Sequence, residues 1–251
     1  MKGFFTKNYN YTNILGFGPT KSKSVTKWYT ADTEEKFDKH WSNSKTRQKL
    51  NALGWTKDSI EYRCNDAGFR MDINMRDVKS GECDFYLGCS YTFGIGLNME
   101  DTWCWKMSLI RGLTCVNLGI PGGGMESNYR VLKSWIGILK PKNIYLLGYF
   151  PDRREIITNR NSTLRLGPWV EGDFLKKLYY TLLSDDEILL TYLRNFDAIR
   201  AICMDYNTSL YVLDENHFPN FDQGARDLLH PSRIWHTAIS LLPDSSWVKI
   251  V

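Results

Sequence analysis

Between residues 84 and 213, short apolar runs alternate with segments of helical periodicity, and this alternation most constrains what the chain can fold into. The runs fall at 84–87, 114–118, 143–148 and 209–213. Between them, residues 100–111 carry Trp103, Met107 and Ile110 at helical spacing, and residues 125–139 carry Tyr129, Leu132, Trp135, Ile136 and Leu139, with Pro141 closing that helix. A third helix is expected over 186–204, with Ile188, Leu189, Tyr192, Leu193, Phe196, Ile199 and Ile202 on one face. A last one opens at Pro231, a good first-turn residue, and runs through Ile234, Trp235, Ala238 and Leu241. Strand, crossover helix, strand is the pattern of a parallel sheet covered on both faces. The expected fold is therefore α/β, a three-layer α/β/α sandwich with a mostly parallel sheet.

Residues 1–80 differ in character, being rich in Lys, Thr, Asn and Tyr with weak periodicity. A helix is expected at 33–53, a strand at 60–64 and a turn at 65–69, together an N-terminal extension packed on a main domain of residues 81–251. A chain of 251 residues can bury one sizeable core. Its net charge of +4 is slight, and the basic clusters Lys21-Ser22-Lys23 and Lys45-Thr46-Arg47-Gln48-Lys49 are short. They read as solvated surface, so no nucleic-acid partner is expected. Residues 1–8 lack an apolar leader core, and no run approaches the roughly 20 apolar residues of a membrane span. The expectation is a soluble, cytoplasmic protein with no membrane partner. Six cysteines occur without Cys-x-x-Cys spacing, which favours buried thiols in a reducing compartment over disulfides.

The chemistry concentrates at three places. Gly88-Cys89-Ser90-Tyr91-Thr92-Phe93-Gly94 follows the first strand directly, which leaves the Ser90 hydroxyl at the C-terminal edge of the sheet, where open α/β folds act. The plainer role for Ser90 is a helix cap, and Cys89 is a second candidate nucleophile. Asp227-Leu228-Leu229-His230-Pro231 lies near the other end of the chain. An Asp three residues before a His can fix the imidazole tautomer from within one turn, freeing the other ring nitrogen to take a serine proton. Between them, Asn117-Leu118-Gly119-Ile120-Pro121-Gly122-Gly123-Gly124 follows the second strand and opens a helix. Its backbone N–H groups either bind a developing oxyanion or merely begin the helix.

With these blocks in this order, the chain resembles the SGNH hydrolases, also called the GDSL esterase/lipase family. Gly88-Cys89-Ser90 is similar to the Gly-Asp-Ser block with Cys for Asp, Asn117 to Gly122 is similar to the Asn-x-x-x-x-Gly block, and Asp227-x-x-His230-Pro231 is similar to the last block. The segment 62–69 is similar to a lead-in found in some members. The resemblance implies a flavodoxin-like sandwich in which Ser90 attacks an ester carbonyl, His230 is the base and then the acid, and Asp227 orients His230. It implies backbone N–H groups of Ser90 and Gly122 in the oxyanion hole; no cofactor or metal is expected. One block departs: where the family has Gly-x-Asn-Asp, this chain has Gly148-Tyr149-Phe150-Pro151-Asp152-Arg153. Arg153 is the candidate replacement, donating to the oxyanion or holding an anionic substrate, against the alternative of a surface pair with Asp152 or Glu155. Trp169, beside Pro168, is the aromatic expected near a substrate, whereas Trp103, Trp135 and Trp235 sit on apolar helix faces. Asp214, Glu215, Asn216, His217 and Asp222 fit no standard metal spacing. The expected activity is hydrolysis of an acyl ester, an O-acetyl group on a small molecule or polysaccharide. The rival is a glycan-binding or structural protein, such as a virion component, that keeps the fold without turnover, with residues 243–251 serving assembly.

Overall fold

Strands form where the sequence places its apolar runs. The computed structural model describes residues 16–20, 22–148, 150–157, 163–169, 174–213 and 215–251. The leader reading of residues 1–8, Lys21 of the basic cluster, Tyr149 and Asp214 lie outside these. Strands are β1 (Val25–Thr26), β2 (Tyr62–Arg63), β3 (Cys83–Gly88), β4 (Thr114–Asn117), β5 (Asn143–Leu147), β6 (Arg154–Ile157), β7 (Thr163–Leu166), β8 (Ser209–Leu213) and β9 (Trp247–Lys249). Helices are α1 (Glu34–Ser42), α2 (Ser44–Ala52), α3 (Ser90–Phe93), α4 (Trp103–Arg111), α5 (Met125–Leu139), α6 (Phe174–Thr181), α7 (Asp185–Asp205) and α8 (Arg233–Ser240).

The main sheet has the order β4-β3-β5-β8-β9. All its pairings are parallel except that of β9 with β8. From β3 the chain passes to β4 on one side and later to β5 on the other, so the strand order reverses at β3. A crevice opens at such a point, outside the carboxyl ends of the strands, and Ser90 lies there. Successive side chains of a strand point to opposite faces, and both faces are filled. Phe85, Leu87, Ile144 and Leu146 pack on Val131 and Ile136 of α5 and on Ile199 and Cys203 of α7. Tyr86, Tyr145 and Leu147 pack on Trp103 and Met107 of α4 and on Trp235 and Ile239 of α8. The result is a three-layer α/β/α sandwich with a mostly parallel sheet.

Several details correct the sequence reading. The helix expected at 33–53 breaks at Asn43, whose side chain accepts from the N–H groups of Lys45 and Thr46 and so starts α2. Ile110 on α4 and Leu189 and Leu193 on α7 face solvent; the buried side of α7 is Thr191, Ile199, Ile202 and Cys203. Pro231 does not open α8: the Ser232 hydroxyl accepts from Ile234 and Trp235 N–H and rotates the helix so that Trp235, His236 and Ile239 are buried while Ile234 and Leu241 are exposed. Residues 247–249 of the tail proposed for assembly are sheet strand β9. The antiparallel β6–β7 hairpin was not anticipated.

The early segment is tied to the rest by two cores. Phe37, Leu50, Trp55, Ile60 and Tyr62 cluster with Phe93, Ile95, Leu97, Ala225 and Leu228. Phe69, Met71, Met75 and Val78 instead join the sheet core. The six cysteines are free thiols. Among the described residues no helix is long and apolar enough to cross a membrane.

Candidate active site

Gly88 ends β3 with φ of 152°. A Cβ there would lie 2.2 Å from Thr92 Oγ1 and 2.9 Å from the Leu147 carbonyl oxygen, so only glycine lets the chain turn this sharply between two central strands. Ser90 is the first residue of α3, and the cap position belongs to Cys89, which makes no side-chain capping bond. The Ser90 hydroxyl thus caps nothing; its one side-chain hydrogen bond among the described residues is a long one to Cys89 Sγ at 3.9 Å. Cys89 is buried, and Ser90 keeps 8% exposure.

The Asn117 block braces this turn. Asn117 Nδ2 donates to the Thr92 carbonyl at 2.9 Å and its Oδ1 accepts from Gly119 N–H at 3.0 Å. A Cβ on Gly119 would meet Phe93 N at 2.5 Å, so this glycine allows the second loop to lie against the first. Gly122 has φ of 71°. Among the described residues, neither Ser90 N–H nor Gly122 N–H donates to a protein acceptor. The hairpin holds the loop from outside: Arg165 Nη1 donates to the Pro121 carbonyl at 2.6 Å, and Arg154 pairs with Glu126 at 2.6 Å.

Asp227 and His230 come together as a bonded pair, Oδ2 to Nδ1 at 2.6 Å. Asp227 Oδ1 accepts the N–H groups of Leu229 and His230, each at 3.1 Å. Burial alone would raise the Asp227 carboxyl, but the bond to His230, its charge and these two N–H donors outweigh it and hold the group below its ordinary range. The turn between them places Leu228 in the left-handed region, φ 54°, a strained conformation for a bulky side chain. That strain is held by neighbours: Arg226 N–H donates to the Gly96 carbonyl and Ala225 N–H to the His230 carbonyl. Trp55 Nε1 donates to the Gly224 carbonyl at 2.9 Å. Arg226 is buried against Asp32 at 2.7 Å, and Asp32 also accepts from Tyr62 Oη at 2.6 Å. The N-terminal segment therefore braces the loop that carries the Asp227–His230 pair.

Among the described residues there is no Ser90–His230 hydrogen bond. What links them is Tyr91, whose ring meets His230 edge-on with centroids 5.9 Å apart and also contacts Phe150, Phe221 and Trp235. Burial pushes the Tyr91 phenol up to about 12, Cys89 adds to this, and the positive charge of Arg153 opposes it. The His230 side chain keeps 15% exposure. Phe150 stands third in the Gly148 block, at the family's Asn position, and Arg153 lies on it, with Cζ 3.7 Å from its ring centroid and 5.1 Å from that of Trp169. The alternative pairing of Arg153 with Asp152 or Glu155 is not formed among the described residues; Glu155 pairs with Arg130 at 2.6 Å. Trp169 abuts Gly122, its Cζ2 lying 3.1 Å from where a Cβ would be. Asp222, grouped from sequence with His217, is occupied as the acceptor for Ser232 N and Oγ. Sequence reasoning missed Tyr91, Phe150 and Phe221, since aromatic residues in loops carry no local signal of where they meet.

No family model and no curated protein matches the chain. Among solved structures, a protein described as lipolytic and of the G-D-S-L family, from Desulfitobacterium hafniense DCB-2, is similar at 12% identity. That match covers 64% of this chain and 96% of the other, with a TM-score of 0.34. A mutant of Axe2, an acetyl-xylooligosaccharide esterase from Geobacillus Stearmophilus, is similar at 16% identity over 68% of this chain and 93% of the other, with a TM-score of 0.30. The resemblance of this chain to the SGNH (GDSL) hydrolases stands on its three sequence blocks and on the strand order that presents them.

Proposed function

We propose that the protein is a serine ester hydrolase with Ser90, His230 and Asp227 as its triad. The observation that carries this reading is the 2.6 Å Asp227–His230 pair, together with a serine just past the C-terminal end of β3. His230 Nε2 takes the Ser90 proton as Oγ attacks the ester carbonyl, and the oxyanion forms against the N–H groups of Ser90 and Gly122. The imidazolium then returns its proton to the leaving alcohol, and water repeats the sequence on the acyl-serine. Catalytic hydrogen bonds are commonly long until a substrate is bound, so the open Ser90–His230 contact is compatible with this role. A cavity beside Cys89, lined by Gly123, Met125, Leu147 and Phe150, has room for about one water-sized group. Ser90→Ala should abolish hydrolysis of p-nitrophenyl acetate; a variant retaining full turnover would refute the triad.

The second reading, a glycan-binding or structural protein without turnover, is favoured by Phe150 at the Asn position and by the missing Ser90–His230 bond. Loss of one oxyanion donor costs roughly 10²- to 10³-fold in a protease. A folded wild-type protein that binds acetylated glycans without releasing acetate would establish it.

A further inference from the structure

Arg153 is surrounded in a way that neither catalysis nor folding explains. Its Nε and Nη1 atoms are buried and have no hydrogen-bond partner among the described residues. Glu155 and Glu126 are committed to other guanidinium groups, those of Arg130 and Arg154, and Asp152 forms no ion pair with Arg153 among the described residues. What remains is a cation held between the rings of Phe150 and Trp169, which fix the direction of its planar fork but satisfy none of its N–H groups. Burying two of the nitrogens of a half-buried guanidinium without an acceptor is unfavourable unless something supplies one.

We propose that Phe150, Arg153 and Trp169 form a subsite for a carboxylate carried on the alcohol portion of the substrate, an acidic sugar whose ester lies over Ser90. The inference rests on the reading of Ser90 as nucleophile for its catalytic meaning, and on Arg153 alone for its binding meaning. The fork of an arginine matches a carboxylate in two parallel N–H···O bonds. Arg153, without an ion pair among the described residues, balances one negative charge, which fits a carboxylate better than a phosphate dianion. Trp169, 47% exposed, offers a ring face for the apolar side of a sugar while it also lies against Gly122, Gly167 and Arg153. Because Trp169 abuts Gly122, a sugar stacked on it would sit beside the proposed oxyanion hole. This assigns Arg153 to specificity in place of the oxyanion.

The test is binding without turnover. Full-length Ser90→Ala protein is titrated with methyl glucuronide and with methyl glucoside, followed by calorimetry and tryptophan fluorescence. The glucuronide should bind at least tenfold more tightly, Arg153→Met should remove that preference while leaving glucoside affinity in place, and Arg153→Lys should keep part of it. Equal affinity for the two sugars, or a preference that survives Arg153→Met in a folded variant, would overturn the proposal. Since binding is read without chemistry, absence of p-nitrophenyl acetate hydrolysis by the wild-type protein would count against Ser90 and not against the subsite.

Discussion

His236 should make the protein measurably less stable in mild acid. Its ring is 1% exposed, and its Nδ1 accepts from Trp103 N–H at 3.0 Å, which requires the neutral imidazole. Burial first, then the charges of His230, Arg70 and Lys106, push it from 6.5 down to about 3. Above pH 6.5 the ring is neutral in both folded and unfolded chains and contributes no pH dependence. Below it, the unfolded chain takes up a proton that the native state refuses until about pH 3, so stability falls as pH falls across that window. Each unit is about 1.4 kcal/mol, so the loss by pH 5 is about 2 kcal/mol. With a urea m-value of about 2–3 kcal/mol/M this is a midpoint shift of roughly 0.7–1 M. The comparison is between wild type and His236→Gln, whose amide oxygen can still accept from Trp103. Between pH 7.5 and pH 5.0, wild type should lose about 2 kcal/mol more than the variant. Parallel losses in the two proteins would refute a neutral, buried His236.

Three further perturbations address the site and its support. Asp227→Asn should lower esterase kcat by about 10²- to 10⁴-fold through the wrong His230 tautomer. Because the Asp227 carboxyl is held below its ordinary range, its stabilisation is present at neutral pH and lost as pH falls through that lowered value. The melting-temperature gap to Asn should therefore close in acid, and a constant gap would contradict the assignment. Asp32→Asn leaves Arg226 buried without its counter-charge, which costs about 3–5 kcal/mol, or roughly 10 °C in thermal melting for a chain of this size; a shift under about 2 °C would contradict the bracing role. Gly122→Ala forces alanine into a left-handed conformation, about 1–2 kcal/mol, and drives a methyl toward Trp169. Turnover should fall at least about tenfold with altered tryptophan emission, and unchanged kinetics would remove Gly122 from the oxyanion hole.

The parallel sheet was legible because its strands are buried on both faces and so stand out as apolar runs; residues 125–139 and 209–213 carry the same bounds in sequence and structure. Helix faces were less legible. Ile110, Leu189, Leu193 and Ile234 have the right spacing yet face solvent, since periodicity gives a face but not which neighbour covers it. The β6–β7 hairpin was hidden because its strands carry the charges Arg154, Glu155 and Arg165, which the fold uses as largely buried ties to α5 and to the Pro121 loop. The Asp227–His230 contact was readable from its three-residue spacing, but the Trp55, Asp32 and Arg226 support depends on contacts across more than 160 residues.

The central claim is that Ser90 is an activated nucleophile. Purified wild-type protein treated with a fluorophosphonate probe, digested and mapped by mass spectrometry, should carry the adduct on Ser90, with Ser90→Ala unlabelled and His230→Ala labelled far more slowly. A folded wild-type sample that stays unlabelled, or an adduct that persists elsewhere in Ser90→Ala at the same rate, would contradict it.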